Sequence, residues 1–147
     1  MTDTTTAPYG TLLLRLALGT MFIAHALLKY FVFTLPGTAK FFASIGLPDW
    51  LGYIVFAAEL GGGMLLIAGV YARAVALALV PVLLGATWAH AGNGWLFTAP
   101  NGGWEYPLFL TVAALVQALL GDGAFALKPT PAAFARIGSN ASPARLG

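Results

Sequence analysis

The sequence predicts an all-α integral membrane protein, a four-helix bundle with both chain ends in the cytoplasm and a short interfacial helix in its first outer loop. Three observations carry this expectation. Of 147 residues, 59% are hydrophobic. Only 8% are charged, whereas soluble domains carry about 25%. The apolar residues gather into four runs of about 20, the length an α-helix needs to cross a hydrocarbon core of about 30 Å.

Each element follows from local chemistry. Residues 1–10 form a polar N-terminal cytoplasmic segment with no basic n-region. No small-residue cleavage site follows the first apolar run, so that run reads as a retained span, about 11–33. Pro36 and Gly37 break it. Phe41, Phe42 and Ile45 then recur at helical spacing beside Lys40, as expected of a short helix lying in the interface. Leu47-Pro48-Asp49 ends that helix, and the second span occupies about 50–70.

The third span, about 73–90, follows after so tight a turn that the two must form an antiparallel hairpin. Pro81 within it predicts a kink unless neighbouring helices re-satisfy the backbone. Ala74, Ala78, Gly85 and Ala89 are spaced to give that helix one small face for close packing, and Gly61-Gly62-Gly63 offers similar closeness on the second span. Residues 91–103 form a loop rich in Gly, Asn and Pro. The fourth span, about 104–120, carries Pro107 in its first turn, where a missing N–H costs little. Gly121 and Gly123 end it and complete a transmembrane domain of 11–121. Residues 122–147, rich in Ala, Pro and Ser, predict a flexible cytoplasmic tail.

Charge placement sets the orientation. Arg15, Arg73, Lys128, Arg136 and Arg145 fall on one side and Lys40 on the other, so the richer side is the cytoplasm. Trp50, Trp88, Trp95 and Trp104, with Tyr30, Tyr53 and Tyr106, gather at the opposite rim as an interfacial belt. The corresponding location is the bacterial cytoplasmic membrane, crossed several times.

Five ionisable residues are expected at membrane depth. Counting rise from the cytoplasmic rim places His25 about 15 Å up, Lys29 and Glu59 about 21 Å, and His90 and Glu105 about 25 Å. A charge near the bilayer centre costs roughly 2.5–3.5 kcal/mol on insertion scales, so each demands a partner or a purpose. Lys29 and Glu59 share a depth on antiparallel helices and should pair. His25 lies four residues before Lys29 on the same face. His90 and Glu105 flank one loop and are expected to face each other. The alternatives are ordinary ones: Lys29 snorkelling to the rim, Glu105 complementing its helix dipole, His25 as a hydrogen-bonded packing residue, and the whole set as structural ion pairing.

Other chemistries are excluded by residue type. The chain has no cysteine, which removes thiolate metal sites, cluster ligation, catalytic disulfides and covalent haem attachment by its own side chains. Phosphate loops, serine-nucleophile motifs and dinucleotide fingerprints are lacking. Two histidines at different depths are poorly placed for a metal, so neither a metal nor a flavin is expected, and nucleic acid is not an expected partner.

Several spaced motifs resemble the DoxX family of small four-helix bacterial membrane proteins. Arg15-Leu16-Ala17-Leu18-Gly19 with His25 and Lys29 resembles its first helix. Residues 37–48 resemble its first loop, and Glu59-Leu60-Gly61-Gly62 with Gly69 and Arg73 resembles its second hairpin. Asn101-Gly102-Gly103-Trp104-Glu105-Tyr106-Pro107 resembles the start of its fourth helix. The likeness covers about residues 11–127 and implies a four-helix bundle associated with membrane redox chemistry, since relatives include subunits of quinone-linked enzymes and partners of thiol-handling or superoxide-handling proteins. Fold transfers more securely than reaction.

The functional expectation is a membrane subunit supporting quinone-linked oxidoreductase chemistry. Glu59, Lys29, His25, His90 and Glu105 are the expected catalytic residues, with Tyr30, Tyr53, Trp88, Trp104 and Tyr106 around a quinone. Expected partners are the lipid bilayer, a redox protein supplying electrons, and further copies of the chain. A non-enzymatic scaffold recruiting a redox or stress-defence protein is the first alternative. A small-molecule or proton permease is the second, disfavoured because four helices without an inverted repeat are few for a transporter.

Overall fold

A computed structural model describes residues 4–131, and these contain five α-helices and no strand. Helix α1 spans Ala7–Leu27 and continues through a π-helical turn at Leu28–Val32. Helix α2 is Leu35–Ser44, α3 Leu51–Ala68, α4 Ala72–His90 and α5 Glu105–Leu120. Helix α1 with its π turn, α3, and α4 with its short 3₁₀ extension are each long and apolar enough to cross a membrane. Helix α5 is apolar but has 16 residues, which corresponds to about 24 Å of rise.

Local sequence explains most boundaries. Pro8 sits in the first turn of α1, where no donor is needed. Thr34, with φ 61°, turns the chain, and its Oγ1 accepts the Gly37 N–H at 3.2 Å to cap α2. Gly69 ends α3 in the left-handed region, at φ 68°. A side chain there would also collide with the Arg15 guanidinium and the backbone of Ala126. Helix α4 runs unbroken through Pro81, which faces outward.

Helix α1 packs chiefly on α3 and α4 chiefly on α5, while α3–α4 and α1–α5 contacts join the two pairs. The α1–α3 crossing is close because both helices present glycine. A Cβ on Gly19 would lie 2.8 Å from the Gly63 carbonyl oxygen, and one on Gly63 would lie 2.8 Å from that of Gly19. At the α3–α4 contact, Leu79 fills the space left by Gly62, where a Cβ would meet its methyls at 2.9 Å. The buried stripe of α4 is therefore Ala72, Ala76, Leu79 and Leu83. This corrects the expected small face, of which Ala78 and Gly85 are exposed. The gap is on α3 and the knob on α4, so small residues were needed on one partner only.

The core is small: Leu18, Phe22, Leu66, Leu79 and Leu83 lie buried together with Ala72, Ala76, Ala114 and Ala118. Large apolar side chains such as Leu13, Phe31, Phe109 and Leu119 point outward, as suits a protein whose solvent is lipid.

The first part of the expected flexible tail is held in place. Residues 121–130 fold back across the end of the molecule that holds the start of α1. The Ala124 N–H donates to Pro8 O, Leu127 N–H to Ala68 O, Lys128 N–H to Gly69 O, and Tyr71 N–H to Lys128 O. Arg15, only 1% exposed, donates to the carbonyl oxygens of Asp122 and Ala124. The Asp122 carboxylate accepts from the Thr130 hydroxyl at 2.7 Å, the Thr130 N–H at 2.8 Å and the Arg73 N–H at 3.2 Å. It thereby caps α4, whose own N-cap residue offers no side-chain acceptor. Buried Arg15 and half-buried Asp122 give the backbone of this stretch its polar partners. Residues 132–147, with Arg136 and Arg145, lie outside the described residues, as does the start of the N-terminal segment.

Candidate functional site

The pairing of helices brings polar residues from α1, α3, α4 and α5 to one cavity. Lys29 lies in the π turn after α1, and Glu59 lies mid-way along α3. The Lys29 ammonium donates to both carboxylate oxygens of Glu59, at 2.7 and 2.9 Å. The Glu59 side chain is 8% exposed and that of Lys29 17%, so the ammonium turns inward instead of snorkelling. A π turn shifts the register of the side chains beyond it, and such turns recur where a function needs a side chain off the helical face.

His25 lies one turn below Lys29. Its Nδ1 is 2.8 Å from Met21 O, and its ring stacks on Tyr106 with centroids 5.8 Å apart and planes at 23°. His90, the last residue of α4, sets Nδ1 at 3.1 Å from Asn101 O and 3.0 Å from Gly102 O. The Asn93 amide donates to the same two carbonyls. His90 thus ties the end of α4 to the loop that precedes α5.

Between these groups is a cavity of about 140 Å³ lined by His25, Lys29, Glu59, His90 and Tyr106 together with Met21, Phe22, Val82, Leu83, Ala86, Pro107 and Leu110. The Tyr106 hydroxyl is buried and has no hydrogen-bond partner. Arg15 Nε, Thr38 Oγ1 and Gln117 Oε1 share that condition, but of the four only Tyr106 lines this cavity. An unpartnered buried hydroxyl costs about 1–3 kcal/mol and calls for an explanation.

Glu105 is placed elsewhere. Its Oε1 accepts the Phe97 N–H at 2.9 Å, and the side chain lines a more open groove with Trp95, Phe97, Leu108, Phe109 and Val112. The expected His90–Glu105 pair is not formed, because loop backbone supplies partners to both: carbonyls to the imidazole and an amide to the carboxylate. Tyr106 forms the wall common to the groove and the inner cavity.

Of the aromatic residues expected around a ligand, Tyr106 alone lines the inner cavity. Tyr30, Tyr53 and Trp88 are exposed. Trp104 packs edge-on against Trp95 at 4.5 Å in the loop. Aromatic composition cannot separate rings that belt the rim from a ring that turns inward. Sequence reasoning also missed the apolar walls, since Phe22 and Leu83 carry no sign of their neighbour across the bundle. The grouping of Arg15, Asp122 and Thr130 was missed too. An arginine in the second turn of an apolar helix was its available signal, read only as a rim marker.

No group of three or more histidine, aspartate or glutamate side chains placed to hold a metal occurs among the described residues.

The DoxX family model matches residues 10–92. The chain is also 36% identical over 121 residues to a Bacillus subtilis (strain 168) protein described as "Putative oxidoreductase CatD". That alignment covers 82% of this chain and 85% of the relative. No solved structure matches the chain.

Proposed function

The chain belongs to the DoxX family of small bacterial membrane proteins, a multi-pass protein of the bacterial cytoplasmic membrane, and from that premise we propose that it is a membrane subunit supporting quinone-linked oxidoreductase chemistry. In this reading α1, α3, α4 and α5 all span the bilayer, both ends face the cytoplasm, and the cavity opens toward the outer side. The observation that carries the proposal is the meeting of an unpartnered Tyr106 hydroxyl, two imidazoles and the Lys29–Glu59 pair around one cavity. The description of the Bacillus subtilis relative as an oxidoreductase supports the same direction.

A bound quinone would supply the two-electron, two-proton couple that no side chain here provides. The roles of the chain's own residues follow from their chemistry. Tyr106 and the third hydrogen of the Lys29 ammonium would donate to ligand oxygens. Glu59, held by Lys29, would exchange a proton. Phe22, Leu83 and Leu110 would keep water from the ring. Electrons would come from a partner protein, since a cysteine-free chain ligates no cluster.

The test is titration of the purified protein in mild detergent with a water-soluble quinone. Saturable binding, weakened about tenfold or more in Glu59→Gln, is expected. A flat titration would refute the proposal. The rival is a scaffold in which the polar layer only fixes packing, favoured by the fact that Lys29, Glu59, His25 and His90 already have protein partners. In that case Glu59→Gln would lower the amount of folded protein and leave any ligand unaffected.

A further inference from the structure

We infer that the cavity is built for the reduced, hydroxyl-bearing form of a one-ring quinone in preference to the oxidised, carbonyl-bearing form; this rests on the quinone-linked reading above and adds to it the ring size and redox state that the residues select.

The redox preference follows from the tautomers of the two histidines. A carbonyl oxygen can only accept a hydrogen bond. His25 Nδ1, 2.8 Å from Met21 O, must therefore carry the hydrogen. His90 Nδ1 lies nearer Asn101 O, at 3.1 Å, and Gly102 O, at 3.0 Å, than the Asn93 amide nitrogen, at 3.4 Å, and so carries one as well. In each neutral ring Nε2 is then a bare acceptor. Two independent backbone contacts, one inside a helix and one from a loop, set the same tautomer in two rings that line the same cavity. Neither Nε2 has a hydrogen-bond partner among the contacts of these residues, and Glu59 adds further acceptor capacity. On the donor side are the Tyr106 hydroxyl and one ammonium hydrogen of Lys29.

A hydroquinone suits both sets. Its hydroxyl hydrogens satisfy imidazole nitrogens, and its oxygens still accept from Tyr106 and Lys29. A quinone carbonyl can serve the donors only and leaves the imidazole acceptors without hydrogens, a loss for each one the ligand cuts off from water.

Volume sets the ring count. An apolar cavity of about 150 Å³ holds a benzene molecule, and the space here is about 140 Å³. One six-membered ring fits, walled by Phe22 and Pro107 and by the His25–Tyr106 stack. A fused two-ring system does not fit without movement of the helices.

The experiment is anaerobic titration of the full-length protein in detergent, scored for reversible, dialysable binding, with three probes: hydroquinone, 1,4-benzoquinone and the two-ring 1,4-naphthoquinol. Hydroquinone is expected to bind about tenfold or more tighter than each of the others. His25→Phe keeps an aromatic ring against Tyr106 and removes Nε2, so it should bring the hydroquinone-to-benzoquinone ratio toward one. The wild-type comparison stands without that variant should it fold poorly. Benzoquinone binding as tightly as hydroquinone, or naphthoquinol binding as tightly as the one-ring quinol, would overturn the inference and leave the quinone-linked reading in place. Absence of binding by all three would remove that reading and the inference together.

Discussion

Lys29 and Glu59 show how a charge is kept inside hydrocarbon: each removes the other's need for water. Breaking such a pair leaves an uncompensated buried charge, which costs roughly 3–5 kcal/mol, whereas replacing both members can be nearly neutral. Lys29→Met and Glu59→Leu should each lower the midpoint of thermal unfolding in detergent by more than the double variant does. Additive losses would mean that the two charges act independently. At the opposite end Asp122 offers a pH-dependent test. Burial pushes its carboxyl up, but hydrogen bonds from Thr130 and from the backbone N–H groups of Arg73 and Ala72 outweigh that and hold it below its ordinary 3.8. A depressed folded value means stability that is complete above the unfolded pKa and lost as pH falls through the folded one. The advantage of wild type over Asp122→Asn in thermal unfolding should therefore be constant from pH 7 to about pH 5 and shrink below about pH 4. An advantage that persists undiminished at pH 3 would show that the carboxylate charge contributes nothing.

Among the helices, the α1–α3 crossing is the most exacting contact. Gly19 and Gly63 each approach the other's carbonyl, so neither backbone can accept a larger neighbour without separating. Gly63→Leu should cost about 1–3 kcal/mol, the range for overpacking, and should also disturb the cavity, because Glu59 is one turn away on the same helix. Gly61 faces open space. Gly61→Ala should leave unfolding unchanged or raise it slightly through helix propensity. Equal losses at the two positions, measured by thermal unfolding, would argue that the glycines matter for flexibility and not for closeness. The sequence pointed to Gly61-Gly62-Gly63 as a packing element. It could not say which of the three meets α1, which meets α4 and which meets neither, because that depends on the rotation of α3 about its axis.

For the whole molecule, the placement of Lys and Arg near helix ends predicts an orientation that can be measured directly. Because the chain lacks cysteine, single cysteines report without background. Thr98→Cys, in the exposed loop before α5, should react with a membrane-impermeant maleimide in intact spheroplasts. Thr4→Cys should react only after lysis. The reverse pattern would invert the topology and move the cavity toward the cytoplasm.

An all-α chain with several apolar helices long enough to cross a membrane, the break at Gly69 and the pairing of Lys29 with Glu59 were legible in residue order. Each depends on near-neighbour chemistry: hydropathy, proline and glycine, and a fixed rise per residue. Tertiary structure alone decided that Tyr106 turns inward while Tyr30, Tyr53 and Trp88 face outward, that Glu105 bonds its own loop, and that residues 121–130 close over Arg15. These outcomes depend on how each helix is rotated against the next and on which distant backbone groups lack partners. A chain in lipid must satisfy every such group from within itself, and which distant group answers the need is settled only when the helices meet.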